Sequence, residues 1–300
     1  MLAFENSVKS VAVIGVGLIG GSFALALRAA QPSLRILGVD PDETNLDLAL
    51  RRGVIDEAVS LPIAAACDVV LLAVPVRQTA NVMTALSSHL PAHAVLTDTG
   101  STKQDVIAAA RTALGARVAQ FVPGHPIAGR EHSGVGAAVS ELFDGKHVVL
   151  TPLQENSPAA VSRIRALWQA CGAQVVTLPA ATHDAVFAAV SHLPHLLAFA
   201  LVDELAARPN AKTLFSFAAS GFRDFTRIAG SSPEMWRDIA LNNREALVAE
   251  MDRYLAHAAR LRDAVASGDA SGIESLMAGA RRAREQWMAG QLDQFRDDSV

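Results

Sequence analysis

The sequence predicts an α/β protein, with a doubly wound parallel sheet over residues 1–179 and an all-helical domain over residues 180–300. Three observations carry that expectation. A continuous apolar run, Val11 to Ile14, leads straight into Gly15-Val-Gly17-Leu-Ile-Gly20 and then into Gly21 to Leu27 at helical spacing. Strand, glycine turn and helix in that order make the opening unit of a Rossmann-type fold. Further apolar strands then alternate with helical stretches, as parallel sheets require. From about Pro179 the strand pattern stops, and Ala, Leu, Arg and Glu take over.

Each element can be justified in turn. Gly15 is expected to make the tight turn, Gly17 to let the backbone approach a pyrophosphate, and Gly20 to let helix and strand pack closely. Leu18 and Ile19 open the helix, whose free N–H groups and dipole suit phosphate oxygens. The second strand, Arg35 to Val39, ends in Asp40. A carboxylate there can accept from both ribose hydroxyls and repel a 2′-phosphate, which predicts NAD over NADP. Asp40-Pro-Asp-Glu43 also has the chemistry of a helix start, so Asp40 doubles as a candidate N-cap. The third strand, Val69 to Val74, runs into Pro75, and both end residues are assigned to the cofactor edge. Ala94 to Thr97 forms the fourth strand. Ser101-Thr-Lys-Gln104 fits a capping box opening a helix over Thr102 to Leu114. Ala119 to Val122 forms the fifth strand.

Two more strands, His147 to Thr151 and Gln174 to Leu178, flank a helix from Pro158 to Cys171, with Asp144-Gly145 as the turn before the first. In the helical part, Ala185 to Val202 is apolar almost all round, which predicts a helix buried on all sides and kinked at Pro194. Ser220-Gly221 starts the segment Phe222 to Ile228. Ser231-Ser-Pro-Glu234 opens the next helix with Pro233 in its first turn. The remainder, from about Ala240, is amphipathic and charged.

Composition narrows the function classes. Apolar residues make up 51% and charged residues 19%, so two cores can be filled. A net charge of −4 gives no general attraction for nucleic acid, so an anionic ligand must be held by local positive groups. Cys67 and Cys171 lie far apart in apolar contexts, which gives no disulfide framework and fits a reducing compartment. The first apolar segment leads into the glycine motif instead of a cleavage site. The most apolar stretch, Ala185 to Val202, is interrupted by Ser191, His192, Pro194 and His195. A cytoplasmic protein with no membrane span is expected. No metal-ligand cluster has a recognised spacing.

The candidate catalytic group is His125 in Gly124-His-Pro-Ile-Ala-Gly129. Pro126 fixes its own φ and keeps His125 extended, and the glycines on either side allow tight turns. The fifth strand would deliver His125 to the carboxyl edge of the sheet, where open α/β sheets bind ligands. Ser101 lies at the same edge, where its hydroxyl either caps the helix or reaches His125 and the nicotinamide.

These segments together resemble the prephenate dehydrogenases, including arogenate and cyclohexadienyl dehydrogenases. The likeness rests on Gly15 to Gly20, Asp98-Thr-Gly-Ser-Thr-Lys103, Gly124 to Gly129 with Glu131, Ser191-His-Leu-Pro-His195, and Gly221 to Ala229 followed by Met235-Trp236. The resemblance implies a Rossmann domain followed by a helical dimerisation domain, hence a homodimer, in a short form without an ACT domain. It implies oxidative decarboxylation of prephenate or arogenate with NAD in tyrosine biosynthesis. By the same resemblance His125 is the catalytic histidine, and Ser101 contacts it and the nicotinamide region. Arg227 holds a substrate carboxylate, His195 and Ser191 line the pocket, and Glu131, Asp224 and Trp236 lie around its mouth. On a helix, Asp224 could also pair with Arg227 three residues away. Two other classes stand against this. A β-hydroxyacid dehydrogenase would use a lysine from the helical domain, where Lys212 stands alone. A non-enzymatic dinucleotide sensor would not need His125, Ser101, His195 and Arg227 together.

Overall fold

The computed structural model describes residues 8–130 and 132–291. The chain divides into two compact units, residues 1–247 and 248–300. The first opens with β1 (Ser10–Ile14), α1 (Leu18–Ala30), β2 (Arg35–Val39), α2 (Glu43–Arg51), β3 (Glu57–Ala58) and α3 (Leu61–Ala65). It continues with β4 (Val69–Leu72), α4 (Val76–Ser87), β5 (Val95–Asp98), α5 (Gln104–Leu114) and β6 (Phe121–Val122). These six strands form one parallel sheet in the order β3-β2-β1-β4-β5-β6, the doubly wound Rossmann order. The strand direction of winding reverses between β1 and β4, and the residues after those two strands face the resulting crevice.

The strands are apolar throughout because both faces are covered. Val11, Val13, Val69 and Leu71 pack with Phe23 and Leu27 of α1 on one side. Their neighbours Ala12, Ile14, Val70 and Leu72 pack with Met83, Leu86, Val106 and Ala110 on the other. Period-two alternation of the pleat thus feeds two cores from one run of residues.

A second sheet follows, made of β7 (Gly124–Pro126), β8 (His147–Leu150) and β9 (Gln174–Thr177), with α6 (Pro158–Ala170) between the last two. Trp168 of α6 closes the core against Phe23 and Phe143, with ring centroids 4.6 Å and 5.1 Å away. Gly145 takes φ +65° in the turn before β8, as Asp-Gly predicts. Cys67 and Cys171 are buried free thiols.

Several expectations are corrected here. β3 escapes the sequence reading because it has only two residues. The fifth strand is shortened to Phe121–Val122, since Gly115–Gln120 coils into a 3₁₀ turn. His125 stands in a strand of its own, β7, antiparallel to β8 with His125 opposite Val149. Neither Gly124 nor Gly129 has a positive φ, so no tight turn is made at either. Gly124 is needed for space: a Cβ there would lie 3.1 Å from the Asp98 carbonyl oxygen and 3.3 Å from Leu150 Cδ2.

The helical part of the first unit comprises α7 (Ala180–Phe187), a π turn (Ala188–His192), α8 (Leu193–Ala206), α9 (Ala211–Ser216), α10 (Ser220–Thr226) and α11 (Pro233–Asn242). α11 opens with Pro233 in its first turn as expected, and Ser232 caps it by accepting from Met235 N. α7, the π turn and α8 run as one helix of 27 residues. The irregularity at Pro194 takes the form of the π turn just before it. Proline offers no N–H to the preceding turn and crowds its carbonyl, and a widened turn relieves both. By length and composition this helix could cross a membrane, with mean hydropathy 1.9, yet only 22% of that window is buried. One face packs, through His183, Asp184, Phe187, Ala188, His192, Leu193 and Ala198; the expected all-round burial is not seen, and Val190 remains 66% exposed.

The second unit holds the greater part of α12 (Arg244–Ser267) and all of α13 (Ala270–Met288). Gly268 at φ +68° ends the first of these, and Asp269 caps the second by accepting from Gly272 N. Tyr254, Leu255, Val265, Met277 and Trp287 are exposed on this unit.

Candidate active site

The site is built from the carboxyl edge of the sheet and the packed face of the long helix. β5 ends in Asp98, which is buried and works as an anchor for three segments. Its Oδ1 accepts from Gly124 N at 2.9 Å, and its Oδ2 accepts from Gly100 N at 2.9 Å. The Lys103 ammonium, fully buried, donates to Asp98 Oδ2 at 2.5 Å and to the Gly124 carbonyl at 2.7 Å. A buried charge without such partners would be strongly disfavoured. The pair therefore clamps the 98–103 loop onto β7 and holds the backbone just before His125.

His125 is 9% exposed. Its Nδ1 lies 2.8 Å from Nε2 of His183, and His183 Nδ1 lies 2.9 Å from Asp184 Oδ1. Asp184 also accepts from Lys103 N at 2.8 Å and Gln104 N at 2.9 Å. Phe187 closes the group, its ring edge-on to His125 at 4.9 Å. Burial holds the His125 pKa well below its ordinary value, and the neighbouring His183, Lys103 and His192 push the same way. His183 is lowered by burial too, against the opposing bond from Asp184. For Asp184, burial disfavours the charge, but the bonds from His183, Gln104 N and Lys103 N outweigh it and the carboxyl sits below its usual range. Both imidazoles are thus neutral at neutral pH and the carboxyl ionised.

These contacts correct the helix-capping role expected of Ser101. The helix begins at Gln104, and its two leading N–H groups are capped by Asp184, from the far side of the chain. An ionised carboxylate that accepts two N–H groups outcompetes one neutral hydroxyl. Among the described contacts, His125 bonds His183 and not Ser101. His183 and Asp184 lie outside every motif of the sequence, and Asp98 and Lys103, though they bound one, carried no assigned role. The available signal was His183-Asp184 itself, a polar pair inside an Ala-rich helix that must find partners when buried.

Below this group the long helix presents its second polar set. Asn243 donates to the Asp184 carbonyl at 2.8 Å and lies 3.1 Å from His192 Nδ1. Burial pushes the His192 pKa down to about 4, mainly by desolvation. His195 Nδ1 bonds the Ser191 carbonyl at 2.8 Å, and its ring stacks on Trp236 with centroids 3.7 Å apart. Trp236 is itself buried, so it acts here as a floor under His195. His195 is lowered by burial first, and the Arg227 charge adds to it against the Ser191 bond. Arg227 and Asp224 are exposed, in the 3₁₀ turn Arg227–Gly230 and the preceding α10. Ser191 is half-buried in the π turn. Glu131 lies outside the described residues.

The crevice side holds the residues assigned to a cofactor. Gly15 has φ +89°, and a Cβ there would meet the Ala73 carbonyl oxygen at 2.4 Å. The glycine loop therefore touches the segment leading to Val74 and Pro75 by backbone alone. At Gly20 a Cβ would lie 2.2 Å from the Gly15 carbonyl oxygen, which is the expected close packing of helix on strand. Gly17 is the N-cap of α1, and a Cβ there meets nothing within 4 Å, so the space before Leu18 and Ile19 is open. Asp40 is not the N-cap of α2; Asp42 is, accepting from Thr44 N and Asn45 N. Asp40 instead ties the loop down, its Oδ2 accepting from Val16 N at 2.9 Å and Asn45 Nδ2 at 3.2 Å, its Oδ1 from Asp42 N at 3.0 Å. A carboxylate has about four acceptor positions, so one remains for a ligand hydroxyl. Among the described residues no group of three His, Cys, Asp or Glu could hold a metal ion.

Comparison with known proteins agrees with this architecture. Residues 23–177 match the family profile "Prephenate dehydrogenase, nucleotide-binding domain", and residues 179–279 match "Prephenate dehydrogenase, dimerization domain". The chain is 38% identical over 273 residues to a prephenate dehydrogenase of Bacillus subtilis, covering 89% of this chain and 73% of that one. It is 35% identical over 265 residues to a cyclohexadienyl dehydrogenase of Zymomonas mobilis, covering 87% and 90%. The fold superposes with a TM-score of 0.88 on the crystal structure of Aquifex aeolicus prephenate dehydrogenase in complex with hydroxyphenyl propionate and NAD+, at 35% identity, covering 93% and 98%. A Rossmann-type sheet, a largely helical C-terminal part and two family profiles that together take in most of its length make this chain a member of the prephenate dehydrogenase family of oxidoreductases.

Proposed function

We propose that this enzyme oxidatively decarboxylates prephenate with NAD as hydride acceptor, and that it works as a cytoplasmic homodimer with a domain boundary at 179/180. The single observation that carries the chemistry is His125. Its ring is buried, neutral, anchored through Nδ1, and free at Nε2 of any hydrogen bond among the described residues.

The glycine loop fits a dinucleotide. Gly17 leaves open space at the N-terminus of α1, where N–H groups and dipole favour a pyrophosphate. Asp40 keeps an acceptor position for a ribose hydroxyl. When bound, the nicotinamide takes the hydride of the carbinol carbon, and loss of the ring carboxylate as CO2 makes the product aromatic. His125 Nε2 receives the proton of the ring hydroxyl. The overall conversion releases no proton, so His125 returns it to the same oxygen as that oxygen becomes a phenol. Positioning supplies much of the remaining rate. Arg227 meets a substrate carboxylate through its planar fork, and its charge already reaches His195. Ser191 and His195 line the pocket beside it, with Asp224 at its rim. Ser101 serves the nicotinamide side of the site.

A second reading, dual use of prephenate and arogenate, is favoured by the likeness to a cyclohexadienyl dehydrogenase. NADH formation, followed at fixed enzyme with prephenate and with arogenate, and with NAD and NADP, tests both. His125→Asn is expected to lower kcat by about 10²–10⁴ with NAD affinity near normal. Retention of more than about a tenth of kcat would remove His125 as the base.

A further inference from the structure

We propose that His183 and Asp184 are positioning residues that lock His125 as its Nδ1–H tautomer, so that the lone pair of Nε2 points to the substrate. The inference rests on His125 being the base and follows from counting hydrogens along the row. Asp184 receives three donors: Lys103 N, Gln104 N and His183 Nδ1. An ionised carboxylate only accepts, so the His183 nitrogen that faces it must carry the hydrogen. A neutral His183 then has a bare lone pair at Nε2. That lone pair lies 2.8 Å from His125 Nδ1, and one hydrogen must stand between the two nitrogens. His183 has none left to give, so the hydrogen belongs to His125 Nδ1. A neutral His125 with its hydrogen on Nδ1 has Nε2 unprotonated.

The alternative is a doubly protonated His183, which would donate to His125 and put the hydrogen of His125 on Nε2, leaving no base. The surroundings oppose that cation. The charged groups around the two rings are Lys103 and Asp98 from the β5 edge and Asp184 from the long helix, with His192 beside them. Lys103 is spent on Asp98, and both rings are buried against Phe187. The same row serves after proton uptake. The His125 cation would hold its Nδ1–H against His183, whose ring is polarised by Asp184. The substrate proton moves from hydroxyl oxygen to His125 Nε2 and no proton need reach Asp184. Asp184 also caps α5, so one carboxylate sets both the tautomer and the start of the helix behind Ser101.

The test reads the tautomer directly. In protein carrying ¹⁵N-labelled histidine at pH 7.5, two-bond ¹H–¹⁵N spectra show which ring nitrogen is protonated; loss of one pattern in His125→Asn assigns His125. Protonated Nδ1 and bare Nε2 are expected, without substrate or cofactor present. A hydrogen on Nε2 would overturn the proposal, whatever residue proves to be the base. Kinetics give the second arm. His183→Phe keeps a ring but removes the acceptor, and kcat should fall by about 10²-fold with KM for prephenate changed less than about threefold. His183→Gln offers an amide oxygen to Nδ1–H and should regain part of that loss. Equal kcat in His183→Phe and wild type would overturn the proposal, as would a Gln variant no better than Phe. Failure of the base assignment shows separately, as a kcat in His125→Asn above about a tenth of wild type.

Discussion

At the scale of single residues, the site depends on where charge is placed. Arg227 is exposed, and its charge helps to lower the His195 pKa. If its task is to hold a substrate carboxylate in a partly dry cleft, truncation removes about 2–5 kcal/mol of binding. Arg227→Ala should raise KM for prephenate about thirtyfold or more, with a smaller effect on kcat because the carboxylate keeps its charge through the reaction. Arg227→Lys should rescue only in part, having lost the fork. Saturation curves in prephenate at saturating NAD decide it; an unchanged KM takes Arg227 out of the site. Asp40 needs a more careful variant than its charge alone suggests. It bonds Val16 N in the glycine loop, so a short side chain would loosen the loop as well as remove repulsion. Asp40→Asn keeps an oxygen for that N–H and loses the charge. The preference for NAD over NADP in kcat/KM should narrow in this variant, and equal use of both cofactors by the unmodified protein would defeat the assignment.

At the scale of elements, the anchor between β5, the 98–103 loop and β7 has the greatest consequence. Lys103 and Asp98 form a buried pair, and removing one partner leaves a buried charge alone, at a cost of about 3–5 kcal/mol. Lys103→Met is expected to lower the urea midpoint accordingly and to reduce kcat, since the strand carrying His125 loses its tie at the Gly124 carbonyl. A variant as stable and as active as wild type would show that the clamp does not position His125. The long helix tells a related story. Its polar face docks through His183, Asp184 and His192, while residues such as Val190 remain uncovered within one chain.

At the scale of the molecule, that uncovered apolar surface sets the expected assembly. Val190 on the long helix, and Leu255, Met277 and Trp287 on the second unit, are more than half exposed. A second copy burying such surfaces would remove their contact with water. Sedimentation should give a species of twice 31.5 kDa at micromolar concentration; a monomer there would count against the dimer. Stability should also vary with pH in a defined window. His192 has its pKa lowered to about 4, and His125 and His183 are lowered as well. Their unfolded value is about 6.5, so below that pH the unfolded chain binds protons that the folded chain refuses. Stability is therefore full above about pH 6.5 and falls toward pH 4, by up to about 1.4 kcal/mol per pH unit for each histidine. The lowered carboxyls of Asp68 and Asp184 act only further down, below their ordinary range. Urea midpoints at pH 7.5 and 5.0 measure this, and equal midpoints would contradict the buried neutral histidines.

What the sequence determined by itself lies within a few residues of its cause. Gly15 turns and Gly20 packs because steric limits act on the adjoining backbone, and the structure bears both out. Ser157, Ser232 and Asp269 cap the helices that follow them for the same local reason. The extended backbone of His125 was legible too, because Pro126 constrains it. What only the tertiary structure decided involves partners distant in sequence. His183 lies 58 residues from His125, and Asp184 lies 81 from Lys103. Ser101 had the right local chemistry for a cap and lost to a carboxylate that spacing could not place beside it. His125 sits on a strand because β8 was there to pair with it. Local sterics are written in neighbouring residues, whereas a buried hydrogen bond goes to whichever donor or acceptor the packing of whole elements brings within reach.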